Sequence, residues 1–128
     1  VTMDLGANVT LTGGVALQTQ ESWCEFISKD LQSISFGGNA AELYFEEDKF
    51  DDFLKKLAAI KGIFYVHPVQ QYSWGQRVIR FYDPDFHILE VGENMKSVCR
   101  RFLDSGMTIE AAAVRMNVPE KFVRACVR

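Results

Sequence analysis

Glu90 is an acid set in an apolar run, within Trp74-Gly75-Gln76-Arg77-Val78-Ile79-Arg80-Phe81-Tyr82-Asp83-Pro84-Asp85-Phe86-His87-Ile88-Leu89-Glu90-Val91. Asp83-Pro84 suits the first two positions of a β-turn, since an Asp side chain can bond the backbone and Pro presets φ near about −65°. The stretch therefore reads as a hairpin. With Tyr82 facing His87, Phe81 faces Ile88 and Ile79 faces Glu90, so the acid shares its side with apolar residues. An unpaired carboxylate there is costly. A metal, a protonated state, a salt bridge to the diagonal Arg77 or solvent exposure each resolves the conflict, and the residues alone leave these open.

Other side chains could also carry chemistry. His67 precedes Pro68 at a strand end, and His87 opens the last strand on the side opposite Glu90, so neither is expected to converge with the acid. Arg80 shares a side with Tyr82 and His87, where it serves either a surface ion pair or an anion. Trp23, Tyr44, Tyr72 and Trp74 can stack on a planar ligand or simply fill a core. Cys24, Cys99 and Cys126 are an odd number without C-x-x-C spacing and read as buried free thiols.

The elements that must position these groups follow from periodicity. Residues 1–20 give short strands around 1–5, 8–12 and 15–19, turning at Gly6-Ala7-Asn8 and Gly13-Gly14. Ser22 suits the cap of a short helix through Trp23, Phe26 and Ile27, and residues 35–39, with Gly37-Gly38, read as a flexible crossing between two modules. Residues 41–47 alternate Glu42, Tyr44 and Glu46 against Leu43 and Phe45, as a half-buried strand does. Asp48 then offers an N-cap, with Asp51 and Asp52 in the first turn of a helix whose apolar face is Phe50, Phe53, Leu54, Leu57 and Ile60. A strand over 64–69, a loop at 72–75 and the hairpin complete a strand-helix-strand-strand-strand unit. Asn94 begins a further helix that Gly106 stops, and residues 108–116 and 119–127 form two more around Asn117-Val118.

At 128 residues, with 48% apolar and 24% charged residues, the chain suits one globular domain with a genuine core. No long apolar run marks a membrane span and no signal pattern opens the sequence, so the expectation is a cytoplasmic protein. Charge is uneven: residues 1–93 hold 7 basic and 14 acidic groups, residues 94–128 hold 7 basic and 3 acidic. The tail is a cationic helical extension.

The module of strand, helix and three strands closed by W-G-x-R-V-x-R-F-Y-D-P-D-x-H-I-x-E-V resembles the vicinal oxygen chelate superfamily, which includes glyoxalase I, bleomycin-resistance proteins, fosfomycin-resistance enzymes and extradiol dioxygenases. Gly13-Gly14-Val15-Ala16-Leu17-Gln18 resembles the last strand of a preceding module. The resemblance implies an α+β fold in which such modules build a cleft-shaped mixed sheet, often completed across a homodimer. It covers residues 1–93, as a partial first module (1–39) lacking its opening strand and helix and a second module (40–93). Residues 94–128 extend the same domain. By the same similarity one divalent metal ion is held by Gln18, Glu42 and Glu90, an oxygen-only set suited to a hard ion such as magnesium or manganese. Glu42 stands where a His is common, and its plainer reading is an exposed strand residue paired with a lysine. Phe86 occupies the turn position where Gly is common, which implies a different turn conformation with the register to Glu90 kept.

Three functions follow from that likeness and from the tail. In the first, a glyoxalase-type enzyme acts on a small molecule with adjacent oxygens, Glu90 moving the proton beside a metal while Tyr44, Trp74 and Arg80 contact the substrate. In the second, a metal-free protein of the bleomycin-resistance type sequesters a drug or metabolite in an aromatic cleft, the acidic body favouring a cationic ligand. In the third and least favoured, the two last helices bind DNA as a helix-turn-helix.

Overall fold

A computed structural model describes residues 1–127 and divides the chain into two compact units, Val1–Phe36 and the remainder from Gly37. In the first, β1 (Met3–Asp4), β2 (Asn8–Thr10) and β3 (Ala16–Gln18) form an antiparallel meander, followed by α1 (Gln20–Ile27) and a 3₁₀ turn at Leu31–Ser33. Thr19, rather than Ser22, caps α1, its hydroxyl accepting the Ser22 N–H.

The second unit carries β4 (Glu42–Glu47), α2 (Phe50–Ala59), β5 (Tyr65–Gln71), β6 (Arg77–Tyr82) and β7 (Ile88–Glu93). Its mixed sheet has the order β4-β7-β6-β5, with β4 parallel to β7 and the other pairs antiparallel. The N-cap of α2 is Lys49, one residue beyond the expected Asp48, because the Glu47 carboxylate already accepts the Lys49 N–H. Phe50 and Leu57 of this helix pack on Ile79, Phe81 and Val91, which closes one face of the sheet. Burying side chains of this size contributes roughly 1.5–3 kcal/mol each relative to exposure.

Three helices follow: α3 (Met95–Asp104), α4 (Ile109–Met116) and α5 (Glu120–Cys126). Asn94 caps α3 by accepting the Lys96 N–H, as the sequence suggests. They share a core of Val98, Cys99, Phe102, Ala112, Ala113, Met116, Val123 and Cys126. All three cysteines are buried free thiols, and burial beside Cys126 pushes the Cys99 thiol up to about 11. Among the described residues, no helix is long and apolar enough to cross a membrane.

The register of the hairpin differs from the expected one by a residue. Arg80, not Ile79, lies opposite Glu90, and Tyr82 pairs with Ile88. The cause is the turn. Asp83 accepts the N–H groups of Asp85 and His87 on its carboxylate, its own N–H reaches the His87 carbonyl, and Phe86 is placed at φ 63°. Phe86 therefore adopts the left-handed conformation usual for glycine, not a different turn, and adds the extra residue that shifts the pairing. Left-handed backbone costs a non-glycine residue about 1–2 kcal/mol. The Phe86 ring packs on Phe64 and Tyr82, with centroids 5.9 Å and 5.7 Å away, which offsets part of that cost.

Candidate functional site

Partners across a ladder point to the same side of a sheet. The face opposite α2 thus gathers Glu42 and Tyr44 from β4, Glu90 and Gly92 from β7, and Val78, Arg80 and Tyr82 from β6. Arg80 sits at its centre. Its Nε donates to Glu42 Oε2 at 2.8 Å and one Nη to Glu90, while the other Nη donates to the Tyr72 hydroxyl at 2.6 Å and lies 3.2 Å from His67 Nε2.

Glu90 is thus resolved by an ion pair, but with Arg80. Arg77 instead points to the α2 side, where it pairs with Asp51 at 2.8 Å and Glu93 at 3.0 Å, and Arg101 of α3 reaches the same Glu93 at 2.8 Å. Glu42 is paired with Arg80 rather than with a lysine. His67 does converge with the two acids, through Arg80, contrary to expectation. Register shifts around His67 and the neighbouring Pro68 re-aim its ring. Its Nδ1 lies 2.7 Å from the Pro68 carbonyl. That contact suits the tautomer with a proton on Nδ1, which leaves Nε2 to accept from Arg80. His87 pairs with Asp83 at 2.9 Å within the turn.

The two acids lie in different surroundings. The Glu42 side chain is 37% exposed, and its hydrogen bond from Arg80 lowers its pKa. The Glu90 side chain is 7% exposed, and burial raises its pKa despite Arg80. Arg80 itself is held more firmly protonated, chiefly by Glu42.

An aromatic wall adjoins the charges. Tyr72 and Trp74 stack with centroids 4.5 Å apart. Trp74 Nε1 donates to Gln76 Oε1 at 3.1 Å, and Gln76 Nε2 donates to the Tyr44 hydroxyl at 2.9 Å and to the Glu93 carbonyl at 3.0 Å. Tyr44 in turn donates to Glu46 at 3.1 Å. Gln76 is buried, and a Cβ at Gly92 would stand 2.8 Å from its amide nitrogen and 3.1 Å from the Tyr44 ring. Glycine at 92 is what lets the amide and the ring cross the strand. Sequence reading passed over Gln76 and Gly92, although a glycine two residues beyond Glu90, on the same side of the strand, is a signal that something crosses there.

The structure brings Glu42, Tyr44, Trp74, Arg80 and Glu90 onto one sheet and its adjoining loop. Gln18 lies in the first unit, paired with Asn8 in the meander. The donor set does not fit a metal ion as it stands, because Glu42, Glu90 and His67 are all engaged with one guanidinium. Among the described residues no group of three or more His, Cys, Asp or Glu side chains could hold a metal ion.

A strand-helix-strand-strand-strand sheet with one face covered by α2 and a second that gathers Glu42, Arg80 and Glu90 defines the class of protein. Residues 1–96 match the model of the glyoxalase-like domain. The chain belongs to that family, within the vicinal oxygen chelate superfamily. A crystal structure of a protein of unknown function from Agrobacterium tumefaciens str. C58 is similar at 35% identity, over 73% of this chain and 72% of that one, with a TM-score of 0.60. A glyoxalase-related enzyme from Fulvimarina pelagi shares the fold at 18% identity and a TM-score of 0.54. That match covers 69% of this chain and 63% of the other, just under two thirds of its length. No curated protein matches the chain.

Proposed function

We propose that the face of the β4-β7-β6-β5 sheet opposite α2 binds a small organic molecule without a metal, at its exposed Glu42 and Tyr44 margin, and that the ligand carries a planar group and a positive charge. The observation that carries this reading is the place of Arg80, which fills the space between Glu42 and Glu90 with a guanidinium. One guanidinium offsets one of the two carboxylates, and Glu46 adds a further charge beside Tyr44. The face is therefore acidic beside rings that can stack, a combination that favours a cationic aromatic compound. Such a compound should quench Trp74 fluorescence saturably and equally well in the presence of a chelator, while its anionic analogue should not. Failure across a broad cationic panel would remove the reading.

A second reading rests on Glu90. A buried carboxylate with a raised pKa is suited to moving a proton, so an enolisable dicarbonyl compound is the substrate class to try. Turnover lost in Glu90→Gln with ligand binding kept would support it, and its absence with every dicarbonyl would remove it. In either case we read the protein as a cytoplasmic homodimer that buries the exposed β4 strand.

A further inference from the structure

Two carboxylates on adjacent strands of one sheet face repel unless a cation lies between them. Here the cation belongs to the chain. Glu42 comes from β4, Glu90 from β7, His67 from β5 and Tyr72 from the loop after β5, and all four meet the guanidinium of Arg80 from β6. Convergence of oxygen and imidazole groups from separate strands is also what a bound ion asks of a protein. The spacing differs: Tyr72 lies 2.6 Å, Glu42 2.8 Å and His67 3.2 Å from Arg80 nitrogens. Those are hydrogen-bond lengths, against about 2.0–2.2 Å for such ligands on a zinc ion. An ion entering between these side chains would have to displace a fixed positive charge that repels it.

We infer that Arg80 is a resident cation standing in the place of a metal ion, and that its removal turns Glu42, Glu90 and His67 into a site for a divalent ion. The inference rests on the metal-free reading of this face and not on the ligand proposed for it. Glu42 is the more exposed of the two acids, with 37% of its side chain accessible against 7% for Glu90.

The test uses the full chain, with manganese followed by the electron paramagnetic resonance of the free ion and zinc by calorimetry. Wild-type protein should show no saturable uptake. Arg80→Ala should bind one ion saturably, at least about tenfold more tightly than the weakest affinity at which wild type was tested, since deprotonated ligands are then available to the metal. The gain should vanish in Arg80→Ala combined with Glu42→Gln or Glu90→Gln, and methylguanidinium should compete with manganese for the Arg80→Ala hollow. Arg80→Met, which keeps the aliphatic volume, replaces the alanine variant if that does not fold. Stoichiometric metal in wild-type protein would overturn the inference, as would a folded Arg80→Ala or Arg80→Met that binds metal no better than wild type. Arg80→Gln, which keeps a hydrogen-bonding head without the charge, is the third variant and must show the same gain in metal binding if the other two do not fold. Tryptophan quenching by cationic compounds is read separately, so loss of this inference leaves ligand binding to stand or fall alone.

Discussion

Glu90 keeps its charge beside Arg80 at the cost of leaving water, and the balance sets how stability depends on pH. Its folded pKa lies above the ordinary 4.5 because burial outweighs Arg80. The stability it contributes is therefore complete below about 4.5 and is lost as pH rises through the raised value. The stability of wild type relative to Glu90→Gln should accordingly fall as pH climbs from 4.5, measured by urea unfolding at a series of pH values. A difference that grew with pH would mean that Arg80 outweighs burial. Gly92 makes a second prediction at this scale. An added methyl would press on Gln76 and Tyr44, and overpacking of this kind costs about 1–3 kcal/mol. Gly92→Ala should lose stability in that range and shift Trp74 emission, because Gln76 holds the indole N–H. Unchanged emission would show that the wall does not depend on that amide.

Among the elements, α3 is tied to the sheet and its adjoining loop by a steric contact at Gly75 and by Arg101, which donates both to the Gly75 carbonyl at 2.9 Å and to Glu93 at 2.8 Å. Gly75 has φ +88°, and a Cβ there would lie 2.2 Å and 2.6 Å from atoms of the buried Phe102 ring. Gly75→Ala combines backbone strain with overlap and should cost at least about 2 kcal/mol in urea unfolding. A near-neutral result would mean that α3 can move away from the loop. The other tie is electrostatic. Burial alone would raise the pKa of Glu93, but hydrogen bonds from Arg77 and Arg101 hold it below 4.5. A lowered carboxylate gives stability that is present above 4.5 and lost as pH falls through its folded value. Glu93→Gln should thus be destabilised at neutral pH by roughly 3 kcal/mol, the low end for breaking a buried pair since both arginines are partly exposed, and should approach wild type in acid. The elements themselves were legible in the sequence from period, as in Phe50 and Leu57 of α2, and at the Asn94 cap of α3, whereas the caps of α1 and α2 fall on Thr19 and Lys49 and Ile60 lies exposed beyond α2. The site was legible in its residues but not in its pairing. Phe86 in a left-handed turn moved Arg80 opposite Glu90, and the irregular strand at Pro68 brought in His67; neither follows from alternation.

At the scale of the whole molecule, the two edges of the second unit's sheet are unequal. Strand β5 is blunted by Pro68, which lacks an N–H, and by the register shifts around His67. Strand β4 has no such protection, and among the described residues it pairs only with β7. Leu43, Tyr44 and Phe45 are all exposed on it. Of its acids Glu42 is neutralised by Arg80, while Glu46 and Glu47 accept only from neutral donors, the Tyr44 hydroxyl, the Asn94 amide and the Lys49 N–H, and keep their charge towards the end of the strand beyond Leu43 and Phe45. A regular strand with apolar side chains and an open row of backbone groups invites a second strand. The expected outcome is a homodimer in sedimentation velocity at micromolar concentration, joined through β4. Phe45→Lys or Leu43→Lys should convert it to a monomer with unchanged far-ultraviolet dichroism, because a lysine in an apolar contact between copies leaves its charge unpaired. A wild-type chain that sediments as a monomer at every concentration, or a lysine variant that stays dimeric, would place the contact elsewhere or remove it.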